Sequence, residues 1–528
     1  MPAIITDQFR ILNAETFVKS FVGIGTTSNT YYTFLGHPNP TNNNVENYGS
    51  LDWSTAPPAP KDSFQQENLY HDSMMFMKKV NSTDVARVIP RHNWTSGSTF
   101  DMYKGNVDIN NASLITKAKS LYEAKYIVVN SEFKVYLCTN NGANPDQVNG
   151  VKSLYEPNFV ATTPQQAGAV DDGYRWKYLY TINPTQIVKF TTDKFIPVPS
   201  DWGDATTESI KNAAVDGKID TIIIKNRGTG FIVAGGSDSA TVANVPILGD
   251  GTGGLASVTI NGGAVTGVEV TNGGSGYTRA LLKFGTTTSG SVQVTSGVGA
   301  EFEVIIPPSG GHGHDIYREL GSHRVMLYSK YDAESDYITG NTFSRVGIIK
   351  NPVVFGSTTG EVLNTSTATS LGALKLKPVG SGNTSDTTYP LNALITQEVG
   401  VGSTAIGYVA SWNATTGILK YYQPVGLTTD GFKNTVDNKL FDFVGIQTTI
   451  QCNDGDFAGQ ALEVDVSFDN QNTITVGGKI VELGQTFIDG KSNPEVKRYS
   501  GEIIYIDNRA PITRSASQKE EVKVVVEF

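Results

Sequence analysis

In the segment YRWKYLYTI, Tyr174, Trp176, Tyr178 and Tyr180 alternate with Arg175, Lys177 and Leu179, the period of two that a strand imposes on its two faces. A strand with an aromatic face is predicted there. AKYIVVN (124–130) and FKVYLCT (133–139) are strand-like runs of the same kind. Near the C-terminus EIIYI (502–506) is apolar on both faces, which predicts a central strand, and Val522, Val524, Val526 and Phe528 alternate along a last strand expected inside a sheet. Helical periodicity is sparse. One short helix is predicted with Asn13 as N-cap, Phe17 with Phe21 and Val18 with Val22 at four-residue spacing, and Gly23 as the stop. A second is predicted from Asp72 to Val80, where Met74, Met75 and Met77 are read as flexible gap-fillers of a core.

Between these elements the punctuation is that of loops and turns. Pro57, Pro58 and Pro60 place APPAP in a surface connection. From about residue 215 the chain becomes rich in Gly, Thr, Val and Ile, and it repeats: GKIDTIIIKNRGTGF (217–231) aligns with GAVTGVEVTNGGSGY (263–277) at an offset of 46. The alignment sets Asn226 over Asn272, Gly228 over Gly274, Gly230 over Gly276 and Phe231 over Tyr277, and carries Gly253 onto Gly299 and Val258 onto Val304. Each copy reads as a strand, a glycine turn, an aromatic returning to the core, and further strands. Two copies suit a small β-domain and are too few for a propeller or solenoid. A second β-rich stretch, 354–494, is broken by GSGNTSDTTYP and TTDGFKNTVDN, and within it YVASWNATTGILKYY predicts a hairpin around Asn413 to Gly417.

Composition agrees with a mainly β chain of several domains. Of 528 residues only 17% are charged while 55 are glycine, so there is little Glu, Lys and Arg to line the solvent face of long helices. The net charge of −10 opposes the phosphate-neutralising surface of a nucleic-acid binder, so no nucleic acid is expected as partner. No run approaches 18 apolar residues and MPAIITDQFR does not read as a secretory signal, so neither membrane insertion nor secretion is expected. Cys138 and Cys452 are too few for a disulfide framework and are expected as core thiols in a reducing cytosol.

Candidate chemistry is thin. The chain has no His-Glu-x-x-His, no Gly-x-Ser-x-Gly elbow and no Walker loop, and GDGTGG lacks the context of a phosphate or dinucleotide loop. The one cluster with ligand-type spacing is GGHGHD, with His312, His314 and Asp315, and His323 downstream; its glycines favour an irregular turn over a four-ligand metal site. Asn453, Asp454 and Asp456 lack the closing Glu of a calcium loop and read as a polar turn. The expectation is therefore a non-enzyme with no catalytic residue, no cofactor and no metal.

Six segments, taken in order, carry a resemblance: TDQFR (6–10), APPAPKDS (56–63), VIPRHNW (88–94), DGYRWKYLY (172–180), RVGIIKNP (345–352) and SGEIIYIDNRAPI (500–512). As a set they resemble the baseplate wedge protein encoded by gene eight of T-even-type contractile-tailed phages. The likeness covers roughly 1–205, 315–353 and 495–528, leaving two large insertions. It implies a β-sandwich body with short helices in loops, divided as 1–208, 315–353 and 495–528, and two inserted β-rich modules at 209–314 and 354–494. It also implies a homodimer, contacts to the wedge proteins encoded by genes six, seven and ten, and a place in the virion tail baseplate after assembly in the host cytoplasm. For the matched residues Arg91, Trp94, Asp172, Tyr174, Trp176, Asn508 and Arg509 the expected role is structural. A different class remains open: a receptor-binding adhesin whose module aromatics Phe231, Tyr277, Trp412, Tyr421 and Tyr422 stack on host glycan. A third, a polysaccharide-degrading enzyme, requires a cleft holding two carboxylates.

Overall fold

The computed structural model describes residues 4–22, 29–38, 53–332, 337–384, 387–423, 440–452, 462–516 and 518–528. It is mostly β with a few short helices, as the composition predicts. The chain forms two compact units, one of Met1–Val18, Ala86–Met326 and Val524–Phe528, the other of Lys19–Val85 and Leu327–Lys523.

In the first unit a three-stranded antiparallel sheet joins Ile127–Val129, Lys134–Asn141 and Tyr174–Thr181, all three anticipated from sequence. The aromatic face packs as expected, with Tyr174, Trp176 and Tyr180 almost wholly buried. The other face is buried too: Leu179 is inaccessible, and Lys177, held below its usual pKa by burial, donates from Nζ to Thr162 O at 2.5 Å. Cys138 lies in this core, and Cys452 is half-buried in the other unit.

The repeat region of this unit surrounds its own core, centred on Phe231, Tyr277, Val242 and Val258. Its strands form a four-stranded and a two-stranded sheet, and the pairing crosses between the copies. Thr221–Val233, the first strand of copy one, pairs with Val294–Ile305, the last of copy two; Thr252–Asn261, the last of copy one, pairs with Ala264–Ser275, the first of copy two. The registers coincide after the shift of 46. Gly254 faces Gly273 as Ala300 faces Arg227, Val258 faces Val268 as Val304 faces Ile222, and the bulge at Leu255/Ala256 recurs at Glu301/Phe302. Asn226 Oδ1 accepts from Gly228 N at 3.0 Å and Asn272 Oδ1 from Gly274 N at 3.1 Å, so each copy builds its turn in the same way. Where the chain enters and leaves this region it is held together: Gly310 N donates to Asp216 Oδ1 (2.7 Å) and the Trp202 indole N–H to Gly313 O (2.9 Å).

In the second unit a five-stranded antiparallel sheet runs in the order Thr367–Thr369, Met74–Val80, Tyr31–Gly36, Thr342–Lys350, Glu502–Thr513. Beyond it, six antiparallel strands close into a barrel: Gly372–Pro378, Ile418–Tyr422, Ser403–Asn413, Leu394–Gly400, Thr449–Cys452 and Leu462–Val464, the last returning to the first. Leu374, Ile395, Val409, Leu419 and Ile450 fill its interior. The expected hairpin is present, with Asn413 Oδ1 capping the turn by accepting from Thr415 N and Thr416 N. Val354 and Val496 form a bridge, with Phe355 N donating to Glu495 O (2.9 Å) and Lys497 N to Val353 O (2.8 Å), so the two ends of this region also lie side by side.

Four expectations are corrected. Met74–Val80 is a strand, and the helix is Phe64–Ser73 before it, capped by Ser63. A strand buried on both faces reads as a continuous apolar run, which periodicity cannot tell from a helix, and methionine's helical preference tipped the reading the wrong way. The first helix spans Asp7–Val22, so Asn13 is interior; Thr6 Oγ1 accepts from Phe9 N at the true start, and the Gly23 stop falls outside the described residues. EIIYI belongs to the edge strand Glu502–Thr513, where Ile504 keeps 41% exposure. The last strand, Glu520–Glu527, is likewise at an edge, beside Arg324–Tyr331, with Val524 its one fully buried valine. Alternation fixes which face is buried and carries no information on how many neighbours a strand has.

Candidate functional site

The matched residues of the first unit gather on the loops around its three-stranded sheet. Gly173, at φ +89, reverses the chain before Tyr174, and Asp172 bridges two loops: Oδ2 accepts from Leu154 N at 2.8 Å and Oδ1 from Tyr174 N at 3.1 Å. The Tyr174 hydroxyl donates to Val151 O (2.9 Å) and accepts from Phe100 N (2.9 Å); burial pushes its pKa up, so it stays a protonated clamp. Its ring stacks on Trp176 at 5.3 Å. Trp176 is inaccessible to solvent, and its indole N–H has no partner among the described residues. Trp94 donates from Nε1 to Ser153 Oγ (3.0 Å), and Arg91 from Nε to Asn93 Oδ1 (2.8 Å) and from Nη1 to Thr192 O (2.9 Å). The bonds of Asp172 to Leu154, Tyr174 to Val151 and Phe100, Trp94 to Ser153 and Arg91 to Thr192 each join separate segments.

In the second unit three matched segments meet at one buried cation. Arg345, inaccessible to solvent, donates from Nε to Asn508 Oδ1 (3.0 Å) and from Nη1 to Ser73 Oγ (2.5 Å), and lies over the rings of Tyr70 and Trp53. Asn508 Nδ2 in turn donates to Pro58 O at 2.8 Å. APPAPKDS, RVGIIKNP and SGEIIYIDNRAPI, hundreds of residues apart, are thereby joined. Sequence reasoning quoted the segment of Arg345 without singling it out; the available signal was an arginine inside an apolar strand, a position that demands buried partners. Arg509, by contrast, is exposed and pairs with neighbouring Asp507.

The histidine cluster is dispersed. His312 Nδ1 lies 2.5 Å from Glu319 Oε1, both buried, while Glu319 Oε2 accepts from Gly313 N at 2.7 Å. His314 is exposed, and His323 Nε2 sits 3.3 Å from Glu527 Oε1. Among the described residues no three His, Cys, Asp or Glu side chains converge on one point. Asn453, Asp454 and Asp456 lie outside the described residues.

What the fold and these clusters define is a multi-sheet β scaffold whose matched side chains tie distant loops to sheets. Residues 3–162 match the family described as Bacteriophage T4, Gp8, and over 223 residues the chain is 25% identical to baseplate wedge protein gp8 of Enterobacteria phage T4. That alignment covers 39% of this chain and 63% of the relative, so the chain spans a little under two thirds of that protein's length. The resemblance read from the ordered segments is thus a similarity in sequence shared with this family.

Proposed function

We propose that this chain is a non-enzymatic structural subunit of a contractile phage tail baseplate wedge and acts in baseplate assembly through protein–protein contacts. The observation that carries the proposal is the match of residues 3–162 to the gp8 family, together with the likeness to a protein named as a baseplate wedge component. The same reading includes a virion location, assembly in the host cytoplasm, a homodimer with a β-sandwich body, and partners equivalent to the wedge proteins encoded by genes six, seven and ten. Arg91, Trp94, Asp172, Tyr174, Trp176, Asn508 and Arg509 serve it as fold-maintaining residues. The regions 209–314 and 354–494 are separable modules in this reading, supported by the hydrogen-bonded approach of their ends. Within the second region, Thr367–Thr369 pairs with Met74–Val80 at the edge of the five-stranded sheet.

The adhesin reading is weakened by where its aromatics lie. Phe231, Tyr277, Tyr421 and Tyr422 are buried in cores, and the Trp412 indole donates to Thr387 O at 3.0 Å. Electron cryo-microscopy of the assembled virion tests the proposal: density for this chain is expected in the baseplate, and intact baseplates lacking it refute the assignment. Light scattering tests the dimer, since obligate interfaces commonly bury more than about 2,000 Å² and persist on dilution; a monomer at micromolar concentration counts against it.

A further inference from the structure

In the second unit a cavity of about 270 Å³ opens beside the end of helix Phe64–Ser73, the barrel strand Ile418–Tyr422 and the segment that leads out of the barrel region. Lys491, Lys497 and Arg498 line it, with His71 and the carboxylates of Asp72 and Asp442. Among the described residues none of the three cations forms an ion pair or donates a side-chain hydrogen bond. The acids do not compensate. Asp72 is already engaged, accepting from the Tyr499 hydroxyl at 2.7 Å, and Asp442 acts on Lys491 only through space.

Lys491 is half-buried, and burial holds its pKa below the usual lysine value. His71 is held down to about 4 by burial, so at neutral pH it offers an uncharged imidazole. A partly desolvated ammonium without a partner is unfavourable, and an incoming anion removes that penalty. Three cations set against two carboxylates leave a single positive charge, which matches a carboxylate better than a phosphate dianion.

We propose that this cavity is a carboxylate-binding site, which takes either a free small monocarboxylic acid or an acidic side chain of a docked peptide. The inference is independent of the baseplate reading. It is tested on the full chain by calorimetric titration with butyrate, inorganic phosphate, the capped tripeptide Gly-Glu-Gly and its neutral counterpart Gly-Gln-Gly. At least one carboxylate probe is expected to saturate, the Gln peptide is not, and Lys491→Met should weaken binding about tenfold, equivalent to ~1.4 kcal/mol. Butyrate alone binding identifies a free acid as the ligand, and the Glu peptide alone identifies a docked segment. If Lys491→Met does not fold, Arg498→Gln, at an exposed position, reads the same loss. The proposal is overturned if neither carboxylate probe saturates, if phosphate binds more tightly than both, if the Gln peptide binds as well as the Glu peptide, or if the variants bind as the parent does.

Discussion

The two β-rich regions 209–314 and 354–494 assemble their β-structure by different routes. Region 209–314 does it by exchange between two copies of one 46-residue unit, the first strand of each pairing with the last strand of the other in the same register. Region 354–494 does it by curling one sheet until Gly372–Pro378 meets Ile418–Tyr422. The barrel strands form a ring, whereas the exchanged region keeps the edges of a four-stranded and a two-stranded sheet. The difference lies in where the information sits. In the exchanged region the Asn–Gly turn, the aromatic after it and the register of the paired strands occur twice, so a substitution at one of these has a built-in control; in the barrel each device occurs once.

The largest effects should come from the paired aromatics. Phe231 is inaccessible and packs on Phe284, and Tyr277 holds the corresponding place in the second copy. Phe231→Ala and Tyr277→Ala should each destabilise by about 3–5 kcal/mol in denaturant titration. Ile395→Ala in the barrel interior, likewise inaccessible, should cost about 2–5 kcal/mol. A near-silent change at one aromatic with a full loss at the other would break the equivalence of the copies.

Next are the turn glycines that approach backbone. Gly228 has φ +61, and an added Cβ would lie 2.6 Å from Ala300 N; Gly274 has φ +63, and its Cβ would lie as close as 2.4 Å to Thr252 O. Left-handed strain and backbone displacement together should make either Gly→Ala change cost about 2 kcal/mol or more. In the barrel Gly417, at φ +67 and 2.6 Å from Leu376 O, should behave alike with no partner to compare. A smaller loss tells the copies apart: Tyr277→Phe removes a hydroxyl that donates to Ile247 O (3.0 Å) and accepts from Gly254 N (3.1 Å), a loss of about 1–3 kcal/mol. Phe231 has no hydroxyl to lose, so that asymmetry should appear at residue 277 alone.

How much of this was legible follows the range of the interactions. The repeat was readable because Asn226, Gly228, Gly230 and Phe231 meet a local demand that recurs at Asn272, Gly274, Gly276 and Tyr277. The exchange was not, because nothing in a strand's own residues states whether its partner lies in the same copy or the other. The hairpin at Asn413 to Gly417 was readable from its turn, whereas the pairing that closes the barrel joins residues some 40 positions apart, such as Lys375 and Ile418. Arg345 was unread for the same reason: Ser73, Asn508, Tyr70 and Trp53, which make its burial tolerable, are brought to it only by the tertiary fold. The matched aromatic strand gave itself away because its period is local and both its faces are buried.

The smallest effect gives the sharpest test of the exchanged architecture. Gly230 has φ +69 with no atom within 4 Å of an added Cβ, and Gly276 has φ +74 with its nearest neighbour, Gly251 Cα, at 4.0 Å. Neither Gly230→Ala nor Gly276→Ala meets a clash, so only the left-handed backbone is penalised, at about 1–2 kcal/mol, partly offset by the lower entropy of the unfolded alanine chain. The net loss should be about 1 kcal/mol at each site, equal within error, and below that of the preceding glycine in the same copy. Denaturant midpoints for the four single variants check the order: that of the 228 variant below that of 230, and that of 274 below that of 276, with matching gaps. If the order holds in one copy and reverses in the other, the two turns do not share one geometry, and the 46-residue repeat is a likeness of sequence without a likeness of structure.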